Sequence, residues 1–510
     1  MSKKNTIYDQ LCQHARETAL IGSIEELLGW DEQTGLPPAA AKYRADQMAY
    51  LAGLVHRRQT APQLGECLET LAEGPLAADP HSETGATIRG LRRSYDRKTK
   101  LPQMLVEELT RTAVLGQQSW VAARKQNDFA SFQPLLETMV ALKRQEVEAV
   151  GYEDHPYDAL LDEYEPGEKT ANVTRILARL RDALVPLIQS IADSQRVAPI
   201  EILRRSFPIE AQESFGRKMA AQIGFDFERG RLDVTHHPFC TGLGPHDHRI
   251  TTRYNENFFN GGFFSILHES GHGIYEQGLP TAQYGLPTGS AISLGIHESQ
   301  SRLWENLVGR SRAFWDGAYA EAQSAFPAAL GSASLDDFYF AINDVRPSLI
   351  RVEADEATYN LHILIRFELE QELVSGDLPV GDLPGAWNDK YEAYLGIRPS
   401  KDADGVLQDI HWSAGLIGYF PTYSLGNLYA SQFFEAAAAE LGDGNNGSLD
   451  EQFRRGQFQP LRDWLCEKIH TQGQRYSAAE LVEQVTGSSL SHDALLRRLR
   501  GKLGPLYGVS

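Results

Sequence analysis

Apolar residues recur at the helical period through most of the chain, and this pattern limits the possible folds more than any other feature. Helices are predicted at 102–127, 129–150, 209–223, 334–374, 427–441, 450–470 and 477–502. The clearest stripe covers five turns: Val173, Ile176, Leu177, Leu180, Leu184, Leu187, Ile188 and Ile191. Strand signals are sparse, and the best are 231–235 and 249–254, which a Gly/Pro/His-rich loop separates. The chain is therefore predicted to be mainly α, with one small antiparallel β-sheet.

No linker, repeat or low-complexity segment interrupts this pattern. Length alone would allow about three units, but nothing marks a boundary between them. We therefore predict a single domain over residues 1–510. Its helical N-terminal part covers about 1–200 and its catalytic part about 201–510.

The composition excludes several classes of protein. The chain of 510 residues carries a formal net charge of −19, whereas nucleic acids and anionic membranes attract a basic surface. It contains no uncharged apolar run of about 18 residues and no apolar signal core near its start, so neither a membrane span nor export is expected. Its four cysteines lie far apart and form no CxxC pair, which argues against disulfides and thiolate metal sites. These features favour a cytoplasmic protein without nucleic-acid or membrane partners.

The segment FFSILHESGHGIYEQG at 263–278 contains an HExxH motif. Residues four apart share a helix face, so His268 and His272 can bind one ion together. Glu269 lies about 100° around the helix from His268, close enough to reach a water at the metal. Single histidines on apolar faces are usually core residues, but a pair at this spacing with a glutamate between them favours zinc.

A catalytic zinc site needs a third protein ligand. The segment GSAISLGIHESQSRLWEN at 289–306 is predicted to be helical, and its Glu298 lies 26 residues after His272. That length suffices for a turn and a returning helix, so Glu298 is the favoured third ligand. The alternative is His297, because neighbouring helical residues point about 100° apart and only one of the two is expected to bind the metal.

Several motifs resemble the carboxypeptidase Taq family of metallocarboxypeptidases, and the resemblance extends over nearly the whole chain. Two motifs carry small departures, Leu36 where the family usually has Met and Gly271 inside HExxH, and neither is a proposed ligand. The motifs occur in the family's order: LLGWDEQTGLPPAAAKYRADQ (27–47), PYDALLDEYEPG (156–167), HPF (237–239), DHRIT (247–251), HESGH (268–272), HESQ (297–300), IRVEAD (350–355) and GVLQDIHW (405–412), which runs on into GYFPTY.

The resemblance implies an enzyme of broad specificity that removes single residues from peptide C-termini and acts poorly on C-terminal proline. It implies a large helical zincin-type body with two lobes and a deep active-site groove. It further implies a homodimer and a zinc ion that cobalt can replace. The family's ligands, the two HExxH histidines and the glutamate of HESQ, agree with the spacing argument for His268, His272 and Glu298.

Peptide hydrolysis also needs a proton shuttle and groups that stabilise the oxyanion. Glu269 is expected to act as general base and then as general acid. His411 and Tyr423 lie twelve residues apart, which resembles a pairing in related helical zinc peptidases, and both are expected to donate to the oxyanion. Tyr419 is placed with the substrate-binding residues, although packing alone would also explain it.

A carboxypeptidase must also bind the free carboxylate of its substrate, for which the arginine fork is suited. Arg351 is favoured over Arg249, which lies on a predicted strand beside Asp247. His237 is a further candidate for the substrate-binding wall. Glu276, one turn after His272, either supports the metal site or is simply solvated.

Two other functions remain open at this point. One is an oligopeptidase or dipeptide-releasing enzyme with the same metal site, which would be distinguished by the size of its products. The other is a helical scaffold without catalysis, against which the intact Glu269 argues. The expected partners are peptides with a free C-terminus.

Overall fold

The computed structural model describes residues 3–442 and 447–509. The helices within these residues are α1 (Lys3–Thr34), α2 (Ala41–Gln59), α3 (Pro62–Ala72), α4 (Glu83–Lys100), α5 (Gln103–Gln126), α6 (Phe129–Val150), α7 (Asp158–Tyr164), α8 (Thr170–Ala192), α9 (Ile209–Ile223), α10 (Phe259–Gly278), α11 (Leu294–Arg302), α12 (Arg312–Ala325), α13 (Pro327–Leu330), α14 (Leu335–Ile342), α15 (Tyr359–Ser375), α16 (Leu383–Leu395), α17 (Pro421–Gly442), α18 (Leu449–Arg454), α19 (Gln459–Lys468), α20 (Ala478–Thr486) and α21 (Asp493–Tyr507). A π-helix, Leu303–Gly309, continues directly from α11. The mainly α prediction is confirmed.

The small sheet is mixed rather than antiparallel, which corrects the prediction. Its strands are β1 (Gly230–Val234), β2 (Cys240–Gly242) and β3 (His248–Thr252), in the order β1-β3-β2. β2 pairs antiparallel with β3, whereas β1 pairs parallel with β3. The reason is the short strand β2 within the Gly/Pro/His-rich loop, which sequence reasoning missed. The chain reverses before β2 and again after it, so β3 runs in the direction of β1.

The single helix predicted at 334–374 is two helices, α14 and α15, which also corrects the prediction. Pro347 lies in the segment that separates them, and proline removes a backbone donor and restricts the residue before it. The interruption carries a 3₁₀ turn, Arg351–Glu353. This places Arg351 in an irregular segment that faces the loop around residue 409.

The main core surrounds α10, α11, α15 and α17, which pack against one another near the middle of the molecule. Gly271 explains how closely two of these helices approach. A Cβ atom at this position would lie 2.6 Å from the carbonyl oxygen of Gln300 on α11. Glycine inside the HExxH motif therefore lets α10 and α11 meet.

The N-terminal helices have a smaller core of their own, in which Leu11, Leu68 and Ile88 pack together. The main core extends from Trp120 to Tyr507. The division of the chain at about residue 200 stays a prediction. All four cysteines are free. No helix in 3–442 or 447–509 combines the length and apolarity of a membrane span.

Candidate active site

The three predicted metal ligands converge between α10 and α11. The Nε2 atoms of His268 and His272 lie 3.7 and 3.4 Å from Oε2 of Glu298. One donor atom from each residue can be chosen so that all three lie within 4.8 Å of one another. In a tetrahedral site with bonds of about 2.0–2.1 Å, donor atoms lie about 3.3–3.4 Å apart. The set of two imidazoles and one carboxylate therefore fits a zinc-sized ion.

The charge states of His272 and Glu298 suit a cation. Burial, and after it the neighbouring His297, lower the pKa of His272 to about 3, so its imidazole is neutral at pH 7. Burial acts to raise the pKa of Glu298, but the charges of Arg302 and His268 hold it well below its usual value. A neutral imidazole and an ionised carboxylate are the forms in which these side chains bind metals. Burial acts to lower the pKa of His268, but the charge of Glu298 and the hydrogen bond with Glu305 raise it, so this ring has to release its proton when a metal binds.

Residues that follow Glu298 support the ligands on two sides. Nδ1 of His268 lies 2.9 Å from Oε2 of Glu305, on the π-helix, so that Nε2 points to the other ligands. Arg302 donates from Nε to Oε1 of Glu298 at 2.6 Å and from Nη1 to Oε2 of Glu305 at 3.3 Å. Arg302 thus leaves Oε2 of Glu298 facing the histidines.

His297, the alternative ligand, points away from this cluster. Its Nε2 lies 2.8 Å from Oε1 of Glu276. Its ring stacks on the ring of His272, with centroids 4.5 Å apart and an interplanar angle of 24°. Glu276 is therefore paired rather than solvated. Nδ1 of His272 is buried and has no hydrogen-bond partner in the described part of the chain, so this ring is held by Glu298 at Nε2 and by the stacked ring of His297.

Glu269 is buried beside the ligands, on the same helix as both histidines. Burial raises the pKa of Glu269 to about 7. The charge of His268 acts to lower this pKa, whereas the charges of Glu298 and Glu305 act to raise it. A carboxyl group with a pKa near 7 can accept and release a proton at neutral pH.

His411 and Tyr423 come together on the side of α17. Nε2 of His411 lies 3.4 Å from the hydroxyl oxygen of Tyr423. Gly426, one turn after Tyr423, brings α17 against the metal centre, because a Cβ there would lie 2.6 Å from Cγ of Glu298. Burial raises the pKa of Tyr423, and Tyr419, Tyr359 and the charge of Glu298 add to this effect in that order. Burial lowers the pKa of His411 to about 4, so it is neutral at pH 7.

Tyr419 lies in the same aromatic group. Its ring centroid is 5.3 Å from those of both Tyr423 and Tyr164, and 5.5 Å from that of His411. It is therefore packed beside the proposed oxyanion donors and is not isolated on the surface.

Arg351 is buried in an ion-pair group next to these residues. Its Nε and Nη2 lie 2.9 Å from Oδ1 of Asp409, and its Nη1 donates to the hydroxyl of Tyr359 at 3.0 Å. Arg366 contacts the other oxygen, Oδ2, of Asp409. The guanidinium carbon of Arg351 lies 5.2 Å from the ring centroid of Tyr423.

Arg249 and His237 lie near the sheet. Arg249 donates to both carboxylate oxygens of Asp247 at 2.9 and 2.8 Å, and its guanidinium lies over the ring of Trp30. His237 is exposed and lines a cleft of about 390 Å³ between α1 and β2, together with Trp30 and Cys240. The charge of His237 contributes to lowering the pKa of His411.

Sequence reasoning missed four residues that shape the site: Glu305, Arg302, Tyr359 and Asp409. Asp409 lies inside the GVLQDIHW motif, two residues before His411, and that position was the available signal. Glu305 follows His268 by 37 residues, and nothing in the sequence links the two.

Comparison with known proteins finds relatives over nearly the whole length of this chain. The family model of the carboxypeptidase Taq (M32) metallopeptidases matches residues 10–503. Thermostable carboxypeptidase 1 of Thermus thermophilus is 47% identical over 510 residues, covering 98% of this chain and 99% of the relative. Carboxypeptidase 1 of Bacillus subtilis is 38% identical over 481 residues, covering 94% and 95%. The solved M32 carboxypeptidase from Deinococcus radiodurans R1 superposes with a TM-score of 0.93 at 42% identity, covering 99% of this chain and 100% of that one.

Proposed function

The chain belongs to the carboxypeptidase Taq (M32) family and is a metallocarboxypeptidase, and we propose that it releases single amino acids from peptide C-termini with broad specificity. The observation that carries the proposal is the convergence of His268, His272 and Glu298 with Glu269 beside them. Peptides are the substrates of a carboxypeptidase. The finer points, which are the metal, the base and the groups that bind the substrate, are proposals.

His268, His272 and Glu298 would hold a divalent metal, for which we propose zinc, with cobalt as a substitute. When bound, such an ion lowers the pKa of a coordinated water and polarises the scissile carbonyl. Glu269 accepts the proton of the attacking water and passes it to the leaving amine. Its burial next to two other carboxylates supports this role, because its pKa is raised to about 7.

His411 and Tyr423 stabilise the charge that develops on the carbonyl oxygen. Their side chains lie 3.4 Å apart, so one oxygen placed between them can accept from both. The low pKa of His411 keeps its ring neutral, and a neutral imidazole still donates from one nitrogen. Tyr419 supports Tyr423 and contacts the substrate.

Arg351 binds the terminal carboxylate of the substrate. Its position near Tyr423 supports this, because the carboxylate lies one residue beyond the bond that is cleaved. Both arginines are already paired, Arg249 with Asp247 and Arg351 with Asp409, so their position decides between them: the guanidinium carbon of Arg351 lies 5.2 Å from the ring centroid of Tyr423. We assign Arg249 and the exposed His237 to the wall of the groove. Poor action on C-terminal proline follows from the fixed ring and the missing N–H of that residue. We further propose a cytoplasmic homodimer.

The test is the identity of the products. A peptide with a free C-terminus should shorten one residue at a time in mass spectra, and a chelator should stop the reaction until zinc or cobalt is restored. The same peptide with a C-terminal amide should be cleaved much more slowly. Rapid internal cleavage of the amidated peptide would instead favour an oligopeptidase, and release of dipeptides a dipeptidyl enzyme.

A further inference from the structure

Two carboxyl groups outside the metal site, Glu165 and Glu370, are fully buried, and each accepts three hydrogen bonds. Neither forms an ion pair in the described part of the chain. Burial raises the pKa of each to about 7. Carboxylates in such surroundings are costly unless their hydrogen bonds hold something that the fold needs.

Glu370 lies on α15 and contacts both ends of the segment that carries His411. The indole Nε1 of Trp412 donates to Oε1 of Glu370 at 2.8 Å. The backbone N–H of Gly418 donates to Oε2 at 3.0 Å, and the hydroxyl of Tyr157 donates to the same oxygen at 2.5 Å. Trp412 follows His411 directly, and Gly418 lies next to Tyr419.

The chemistry of these donors requires two acceptor oxygens. An indole N–H and a backbone N–H can only donate a hydrogen bond and cannot accept one. Here they donate to different oxygens of Glu370. Glutamine has one acceptor oxygen and one NH₂ group. Whichever way its amide is turned, the NH₂ faces either Trp412 or Gly418, donor against donor.

We propose that Glu370 is a positioning residue that holds His411, and the segment that leads into α17 and Tyr423, in place by fixing Trp412 and Gly418 with its two oxygens. This inference rests on the roles proposed above for His411 and Tyr423. Glu370 touches no reacting atom, so its effect reaches the reaction only through the segment that it holds.

Glu165 provides a matched control, because it has the same burial and number of bonds but different donors. The hydroxyls of Ser293 and Tyr429 donate to its Oε1, at 2.9 and 3.0 Å, and the backbone N–H of Gly295 donates to its Oε2 at 3.0 Å. Hydroxyls can rotate and accept instead. A glutamine here can keep its oxygen on Gly295 and turn its NH₂ to the two hydroxyls.

The experiment compares Glu370→Gln with Glu165→Gln as metal-loaded enzymes, by hydrogen–deuterium exchange and steady-state kinetics. We expect Glu370→Gln to raise amide exchange in 411–423, to leave exchange in 268–302 and metal affinity unchanged, and to lower kcat about 10- to 100-fold with KM nearly constant. This is less than the 10²–10³-fold typical of losing a donor outright. Glu165→Gln should stay close to wild type in all these measurements.

A second variant guards against simple misfolding. Trp412→Phe removes the fixed donor on Oε1, so the double variant Glu370→Gln/Trp412→Phe should recover much of the lost order and rate. Unchanged exchange in 411–423 of Glu370→Gln, or a double variant worse than either single one, would overturn the positioning role. Raised exchange with normal kcat would leave that role in place and instead refute the proposed functions of His411 and Tyr423.

Discussion

Nδ1 of His268 lies 2.9 Å from Oε2 of Glu305, and this contact joins the HExxH helix to the π-helix that continues from α11. Glu298, on α11, is the proposed third metal ligand, so one continuous segment provides both a proposed ligand and the partner that orients another one. Arg302 lies between the two carboxylates and donates to both. The metal site is therefore supported by an ion-pair group that is already complete in the protein alone.

The first prediction concerns Glu305. Glu305→Ala should weaken zinc binding about 10- to 100-fold, the usual effect of removing the partner of a ligand histidine. Glu305→Gln should weaken it less, because its amide oxygen can still accept from Nδ1. Competition with a chelator measures the affinity. The control is Glu146→Gln, which disrupts a buried pair with Lys143 away from the proposed metal site. An equal loss of zinc affinity in Glu305→Ala and Glu146→Gln would contradict the assignment.

The third ligand is tested by replacing two neighbouring residues. Glu298→Ala should abolish stoichiometric metal binding, because it removes a ligand and leaves Arg302 without its partner. His297→Ala should retain the metal with reduced affinity, because it removes the ring that stacks on His272 and pairs with Glu276 but no proposed ligand. Atomic absorption after dialysis reports the bound metal. Full metal content in Glu298→Ala together with none in His297→Ala would exchange the two roles.

A pH dependence follows from Glu269 in the metal-free protein. The unfolded carboxyl loses its proton near its usual pKa of 4.5, whereas the folded one keeps it until about pH 7. This residue therefore costs stability increasingly as pH rises from 4.5 to 7, up to about 3 kcal/mol. Metal-free Glu269→Gln should be more stable than metal-free wild type at pH 8.5, with little difference at pH 5. Thermal unfolding at both values is the test, and a pH-independent difference would contradict it.

The sequence predicted the local part of the site well and the distant contacts poorly. His268, Glu269 and His272 lie within two turns of one helix, so their relative directions follow from helix geometry. Glu298 required one further assumption, a helix that returns. Glu305 and Asp409 depend instead on how separate elements pack, and no period within the chain encodes that.

The sheet and the helix ends illustrate the same limit. β2 is three residues long, too short for an alternating pattern to be recognised. The break between α14 and α15 was hidden because the apolar pattern continues on both sides of Pro347. Proline is a local signal for a break there, but the apolar period favours one continuous helix.

The two candidate arginines are separated by their effect on the choice of substrate. Arg351→Met should weaken binding of peptides with a free C-terminus and reduce the difference in kcat/KM between free and amidated peptides. Arg351→Lys should show a difference in kcat/KM between that of Arg351→Met and that of the wild type, because an ammonium group lacks the planar fork. Arg249→Met should leave that difference nearly unchanged. If Arg249→Met alone abolished the discrimination, the carboxylate site would lie near the sheet and not beside Tyr423.

The final prediction tests the hydroxyl of Tyr423 against that of Tyr419. Phenylalanine at 423 keeps the ring contacts with Tyr359 and Tyr419 and removes only the donor that lies 3.4 Å from His411. Because this donor acts when charge develops on the carbonyl oxygen, kcat should fall about 10²–10³-fold while KM changes little. Metal content should be unchanged, since neither tyrosine is a ligand. Tyr419→Phe should lower kcat much less, and the reverse result would assign the oxyanion contact to Tyr419 and leave Tyr423 as a packing residue.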